Sequence, residues 1–255
     1  CGMACATGLS CVAGRCVAEA TFRVDSLTAM GCAVVDHGTP SGDDRGGIAV
    51  SSSQVFYTGD TATVRASLAD LSGVAAITTQ HDGMFSDLTT YAAYVFLNAA
   101  GAELTTSFGS LSAPFTATQI AEIDAMTGAL TTRRIPLSMP LVLNQNAGIF
   151  SGRSRLVVHT GNASTGQMPQ WVQVRLPEGT VSVLRAAAAP THSTCENWAY
   201  WGVAEFFDSQ VHVVYVESST RIARYRVSDG MTTALAMFTS LSDMCSITVH
   251  PMRSR

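Results

Sequence analysis

Four glycines, Gly73, Gly128, Gly179 and Gly230, recur at spacings of 55, 51 and 51 residues. Each ends a turn between two alternating runs: TATVRASLADLSGVAAI, TQIAEIDAMTGALTTRRI, WVQVRLPEGTVSVL and IARYRVSDGMTTAL. A β-branched run precedes each unit, in order QVFYTG, YVFLN, RLVVHTG and VHVVYV. The loop after that run varies, and is longest in the second unit (98–116). Alternating apolar and polar residues with glycine turns predict strands. A period of about 50 residues holding about four strands matches a β-propeller blade, whose radial stacking leaves only short protected edges. ATQIAEIDAM (117–126) has helical propensity, but its place in the glycine series predicts a strand.

A second marker follows the same period. MGCAVVDH (30–37) resembles MCSITVH (244–250); each has Cys, four residues, then His. Cys32 and Cys245 are 213 residues apart, about four periods, and Cys195 lies 50 before Cys245. The expected architecture is all-β: four blades, roughly 32–80, 81–140, 141–190 and 191–240, with SITVH (246–250) opening a fifth. Such a partial blade predicts a larger propeller, completed by another chain or fragment. Closure at four, with the short strand joining the first blade, is the alternative.

Cysteine placement sets the expected compartment. Cys1, Cys5, Cys11 and Cys16 crowd into CGMACATGLSCVAGRC, which is Gly-rich and lacks an apolar run. Such a segment needs staples, and without paired Cys-x-x-Cys knuckles two disulfides fit better than zinc. Four cysteines allow three pairings. The reading is a stapled module over 1–18 followed by repeats over 19–255, in an oxidising place: extracellular, outer-membrane surface or periplasm. No signal peptide is visible, so the expectation is a processed start, and Cys1 also admits a lipoprotein. Within the repeats, a Cys195–Cys245 disulfide would tie neighbouring inner strands; Cys245 with Cys32 is the alternative.

Composition removes whole classes of function. Hydrophobic residues are 47% and charged residues 13%, enough for a large core without a membrane-length apolar run. The net charge of −4 argues against nucleic acid. All 15 basic residues are arginine, which excludes P-loop lysines, Schiff bases and Ser-x-x-Lys activation.

The remaining candidates are few. Trp198, Tyr200 and Trp201 form an aromatic cluster suited to stacking on sugar rings or anchoring a protein, unless they pack between blades. With Trp171 the group holds all three tryptophans. The loop around Asp36, Asp43 and Asp44 offers oxygen ligands for a structural calcium, though without Asp-x-Asp-x-Asp-Gly spacing, and Arg45 makes an ordinary paired turn the simpler reading. His37 and His250 sit at matching repeat positions and could share a metal at an axis, while an alternating strand explains them as well. Glu205 and Asp208 are near in sequence, but alternation separates them, which disfavours paired-carboxylate glycoside cleavage. A Cys195–His192 nucleophile has nothing else to support it.

The Cys-rich head, with GDDRGGIAVSSSQVFYTGD (42–60) and RASLADLSG (65–73), resembles secreted or surface propeller-like proteins of myxobacteria-like bacteria. That resemblance implies a secreted or surface-anchored propeller and transfers no catalytic residue or catalytic cofactor. The functional expectation is a non-catalytic binding scaffold for a glycan or protein at the cell surface. The alternatives are a polysaccharide-acting hydrolase or lyase, and a structural subunit of a surface assembly or filament.

Overall fold

The computed structural model describes residues 9–12, 15–18, 48–58, 62–68, 73–77, 81, 83–104, 114–143, 147–160, 168–190, 200–207 and 209–237. All regular elements among these are strands, so no helix there is long and apolar enough to cross a membrane. Strands β1 (Leu9–Val12) and β2 (Arg15–Ala18) form a hairpin whose register sets Cys11 opposite Cys16.

Four antiparallel meanders follow. Sheet 1 is β3 (Ile48–Val50), β4 (Gln54–Thr58), β5 (Thr63–Ser67) and β6 (Ala75–Ala76). Sheet 2 is β7 (Phe85–Asp87), β8 (Ala92–Leu97), β9 (Phe115–Ile123) and β10 (Leu130–Leu143). Sheet 3 is β11 (Gly148–Ser151), β12 (Arg155–Thr160), β13 (Gln170–Arg175) and β14 (Thr180–Ala186). Sheet 4 is β15 (Tyr200–Phe207), β16 (Gln210–Ser218), β17 (Arg221–Arg226) and β18 (Thr232–Met237). The four expected units are thus four four-stranded sheets, and 117–126 is strand for most of its length. The predicted fifth strand, the Cys32/Cys195/Cys245 series, and His37, His192 and His250 lie outside the described residues.

The glycine series has a backbone cause. Gly73, Gly128, Gly179 and Gly230 all follow the third strand and have φ of 63°, 72°, 68° and 80°. L side chains disfavour that region, and glycine enters it freely. In the three later turns the glycine N–H donates to the carbonyl four residues back: Asp124 at 2.7 Å, Arg175 at 2.8 Å and Arg226 at 2.8 Å. One turn chemistry, used repeatedly, generates the period.

Burial explains why second strands are so apolar. Strands β8 and β12 are buried on both faces after their first residue, whereas the outer strand β14 is largely exposed. A strand covered on both faces reads as a continuous hydrophobic run. Three clusters fill the spaces between successive sheets: Ala49 and Phe56 with Val95 and Ile123; Phe96 and Leu143 with Ile149 and Val172; Phe150 and Trp171 with Tyr215 and Tyr225. A fourth gathers Val50, Val55 and Ala66 of sheet 1 with Val203 and Val214 of sheet 4, and includes Leu88. Among the described residues no strand pairing links sheets 1 and 4, and this cluster supplies an apolar contact between them.

Polar contacts join the first strands of successive sheets. The Val50 N–H donates to Ser86 Oγ at 2.8 Å, and the Ser86 N–H donates to Ser151 Oγ at 2.9 Å. Strand β11 pairs in parallel with β15, setting Phe150 opposite Gly202 and merging sheets 3 and 4 into one eight-stranded sheet. Near the outer edge, the Ser138 N–H of β10 donates to the Gly179 carbonyl at 2.9 Å, bridging sheets 2 and 3.

Candidate binding cleft

In a four-stranded meander the first and third turns lie at the same end of the sheet. Two hydrogen bonds tie them: Leu68 N–H to the Ser53 carbonyl in sheet 1, 2.9 Å, and Leu176 N–H to the Ser154 carbonyl in sheet 3, 3.2 Å. At this end a cleft of about 280 Å³ opens among sheets 1, 2 and 3. Ser52 comes from the first turn of sheet 1, Thr90 and Tyr91 from that of sheet 2, and Pro177 from the third turn of sheet 3. Tyr94, Glu122 and Arg133 complete a polar wall. Tyr94 and Glu122 are cross-strand partners, and the Arg133 guanidinium lies 3.5 Å from the Glu122 carboxylate.

Beneath the cleft, Asp87 organises the turn. Its Oδ1 accepts from the N–H groups of Thr89 and Ser154, both at 2.8 Å, and its Oδ2 accepts from the Thr90 hydroxyl at 2.8 Å. Asp87 is buried, and these charge-assisted bonds offset its desolvation. Burial raises the Tyr94 pKa above its ordinary value, with smaller contributions from the Glu122 and Asp87 charges. Burial likewise raises that of Tyr91.

Tyr91 immediately precedes β8 with φ of 53°; Ser154 and Ser209, immediately before β12 and β16, have 51° and 61°. The left-handed conformation therefore belongs to this turn in three of the four sheets. A small polar residue meets it at lower cost than a bulky one, so the tyrosine of sheet 2 is the departure.

Two other polar centres are interior. His81 is fully buried, with Nδ1 2.6 Å from Glu103 Oε2 and Nε2 2.7 Å from the Gly128 carbonyl. Glu205 is buried on sheet 4, opposite His212 in the strand register, and pairs with Arg224 Nε at 3.1 Å. Burial raises the Glu205 pKa, and Arg224 acts against that shift. Among the described residues no three His, Cys, Asp or Glu side chains gather as a metal site.

The residues singled out from sequence are distributed differently. Tyr200 and Trp201 occur in β15, opposite Gly148 and Ile149 of β11, so they belong to a first strand and not to a blade-end loop. Trp198, Asp36, Asp43, Asp44, Cys1, Cys5, Cys195, Cys245 and Asp208 lie outside the described residues, whereas Cys11 and Cys16 sit in the hairpin. Trp171 is fully buried, its ring 5.6 Å from Phe150 and 5.2 Å from Tyr225. The cleft residues were not singled out. Their one sequence signal is Asp87-Leu-Thr-Thr-Tyr91, an Asx turn entering a strand.

No family model and no curated protein matches this chain. Among solved structures it is similar to TolB from Acinetobacter baumannii, at 12% identity and TM-score 0.42, over 78% of this chain and 45% of that one. It is also similar to a protein assigned as TolB from Agrobacterium tumefaciens, at 11% identity and TM-score 0.31, over 77% of this chain and 84% of that one. The chain thus spans less than half the length of the first.

Proposed function

We propose that this chain is a four-bladed propeller that serves as a non-catalytic binding scaffold outside the cytosol. Support for the ring comes from the cluster joining Val50 and Val55 to Val203 and Val214. It gives sheet 1 an apolar neighbour on each face, Phe56 turning to sheet 2 and Val55 to sheet 4. Nuclear Overhauser contacts among the methyls of Val50, Leu88 and Val203 test that junction; their absence overturns closure at four.

The observation that carries the functional reading is the cleft at the turn end. Turns from three sheets converge there on an open space with two tyrosines and a loose ion pair. Rigid sheets presenting a loop-built site is the usual way such scaffolds recognise partners. The interior carboxylates support the same reading: Asp87 fixes a turn, Glu103 holds His81, and Glu205 pairs with Arg224 within a sheet.

The cysteines support a location in an oxidising compartment, as does the hairpin register of Cys11 and Cys16. Intact mass before and after alkylation, without reductant, tests it: the expected chain carries disulfides, and seven alkylated thiols would refute the placement. The binding role is tested by exposing the whole chain to arrayed oligosaccharides and peptides. Saturable retention of unaltered ligand is expected. Conversion of a ligand to product would replace this reading with the hydrolase or lyase alternative.

A further inference from the structure

We infer that the turn-end cleft is a carbohydrate subsite that takes an uncharged pyranose unit, with Tyr91 as its stacking platform and Glu122–Arg133 as its hydroxyl clamp. This rests on the binding-scaffold reading and narrows it to one ligand chemistry.

Three observations converge. The first is charge. Glu122 and Arg133 are 3.5 Å apart, with side chains 28% and 58% exposed, so the pair stands open at the wall and its charges cancel. An anion or a cation gains from one member and loses to the other. Neighbouring hydroxyls suit both, because one hydroxyl donates to the carboxylate while the next accepts from the guanidinium.

The second is shape. The cleft is small, about 280 Å³, and beside its hydroxyl and charged groups Ala92, Ala125 and Pro177 give it an apolar part. A pyranose has the same division: a ring face of C–H groups and an equatorial rim of hydroxyls. Aromatic rings accept such faces, and Tyr91 lines the same cleft.

The third is backbone strain. The turn needs a left-handed residue before β8, and the matching positions in sheets 3 and 4 are serines. Folding alone favours a small residue there. Sheet 2 instead carries a large ring, and the ring lines the cleft. Strained residues held in place by their surroundings gather at binding sites, and Asp87 supplies that hold through Thr89 and Thr90.

Neutral hexose tetrasaccharides with different linkages, titrated into the whole chain with saturation-transfer NMR and calorimetry, provide the test. At least one is expected to bind saturably with ring C–H protons nearest the protein. Tyr91→Gly suits the turn backbone and removes only the ring, so it is expected to keep the melting temperature and lower affinity about tenfold. Arg133→Gln is expected to weaken binding of the neutral sugar and, by leaving the Glu122 charge unbalanced, to shift preference toward a cationic amino-sugar analogue. No binding by any tetrasaccharide overturns the inference, as does binding that persists unchanged in Tyr91→Gly. A peptide pool run in parallel separates the two levels: peptide binding lost in Tyr91→Gly would keep the scaffold and overturn the sugar.

Discussion

His81 Nδ1 lies 2.6 Å from the Glu103 carboxylate, while the opposite ring nitrogen faces the carbonyl of Gly128 at 2.7 Å. Carbonyl and carboxylate oxygens only accept, so both ring nitrogens meet acceptors and a proton must lie between His81 and Glu103. The backbone of His81 is held as well, its N–H by Thr63 Oγ1 at 2.6 Å and its carbonyl by the Thr58 hydroxyl at 2.6 Å. One residue thus joins sheet 1 to two segments of sheet 2. Glu103→Gln can donate its amide N–H to Nδ1 and is expected to cost about 1 kcal/mol. His81→Ala strands the Gly128 carbonyl and Glu103 and should cost about 2–4 kcal/mol. Urea unfolding of the two variants checks the order; equal losses would contradict the shared proton.

The repeat glycines differ in what surrounds them, and the difference is measurable. A Cβ on Gly179 would collide with the Pro136 carbonyl of β10, where sheets 2 and 3 meet. A Cβ on Gly73 meets nothing within 4 Å. Gly73→Ala is therefore expected to lose only the left-handed penalty, about 1 kcal/mol. Gly179→Ala adds a backbone clash and should lose about 3 kcal/mol or more. Comparable melting temperatures for the two variants would mean that the β10 contact yields freely.

Asp87 carries three hydrogen bonds from two sheets. Asp87→Ala leaves the Thr89 and Ser154 N–H groups without that acceptor and is expected to cost about 2–4 kcal/mol. Asp87→Asn retains one accepting oxygen and should cost about 1 kcal/mol. Amide exchange at Thr89 and Ser154 reads this locally. Unchanged protection there in Asp87→Ala would remove Asp87 from its organising role.

Burial holds the Glu205 pKa above its ordinary 4.5, so the folded chain favours the neutral acid more than the unfolded chain does. The sign follows: its contribution is fully present below 4.5 and is lost as pH rises through the native value. Other carboxylates change over the same range, so Glu205→Gln serves as the reference. The stability of the parent relative to this variant is expected to grow as pH falls from neutral toward 4.5. A difference that shrinks on acidification would show that Arg224 outweighs burial.

The glycine series and the β-branched runs made the four sheets legible, because each is the direct trace of a backbone need: a left-handed turn, and a strand covered on both faces. Even 117–126, helical by propensity, follows the series into β9. The cleft was not legible. Ser52, Tyr91, Glu122 and Pro177 are scattered over 125 residues and meet only through turns of separate sheets. Aromatic clustering instead drew attention to Tyr200 and Trp201, whose common feature is strand β15, and to Trp171, which fills the space between sheets 3 and 4. Adjacency in sequence reports strand content well. It reports a binding surface poorly when that surface is assembled from the ends of several sheets.

The parallel seam between β11 and β15 has a mechanical consequence. It turns eight strands into one continuous plate, whereas sheets 1 and 2 are joined to their neighbours by side chains and isolated polar bridges. Under heat or tension the molecule should come apart along its sidewise contacts before that plate tears, so strands β11 to β18 would melt as one cooperative block.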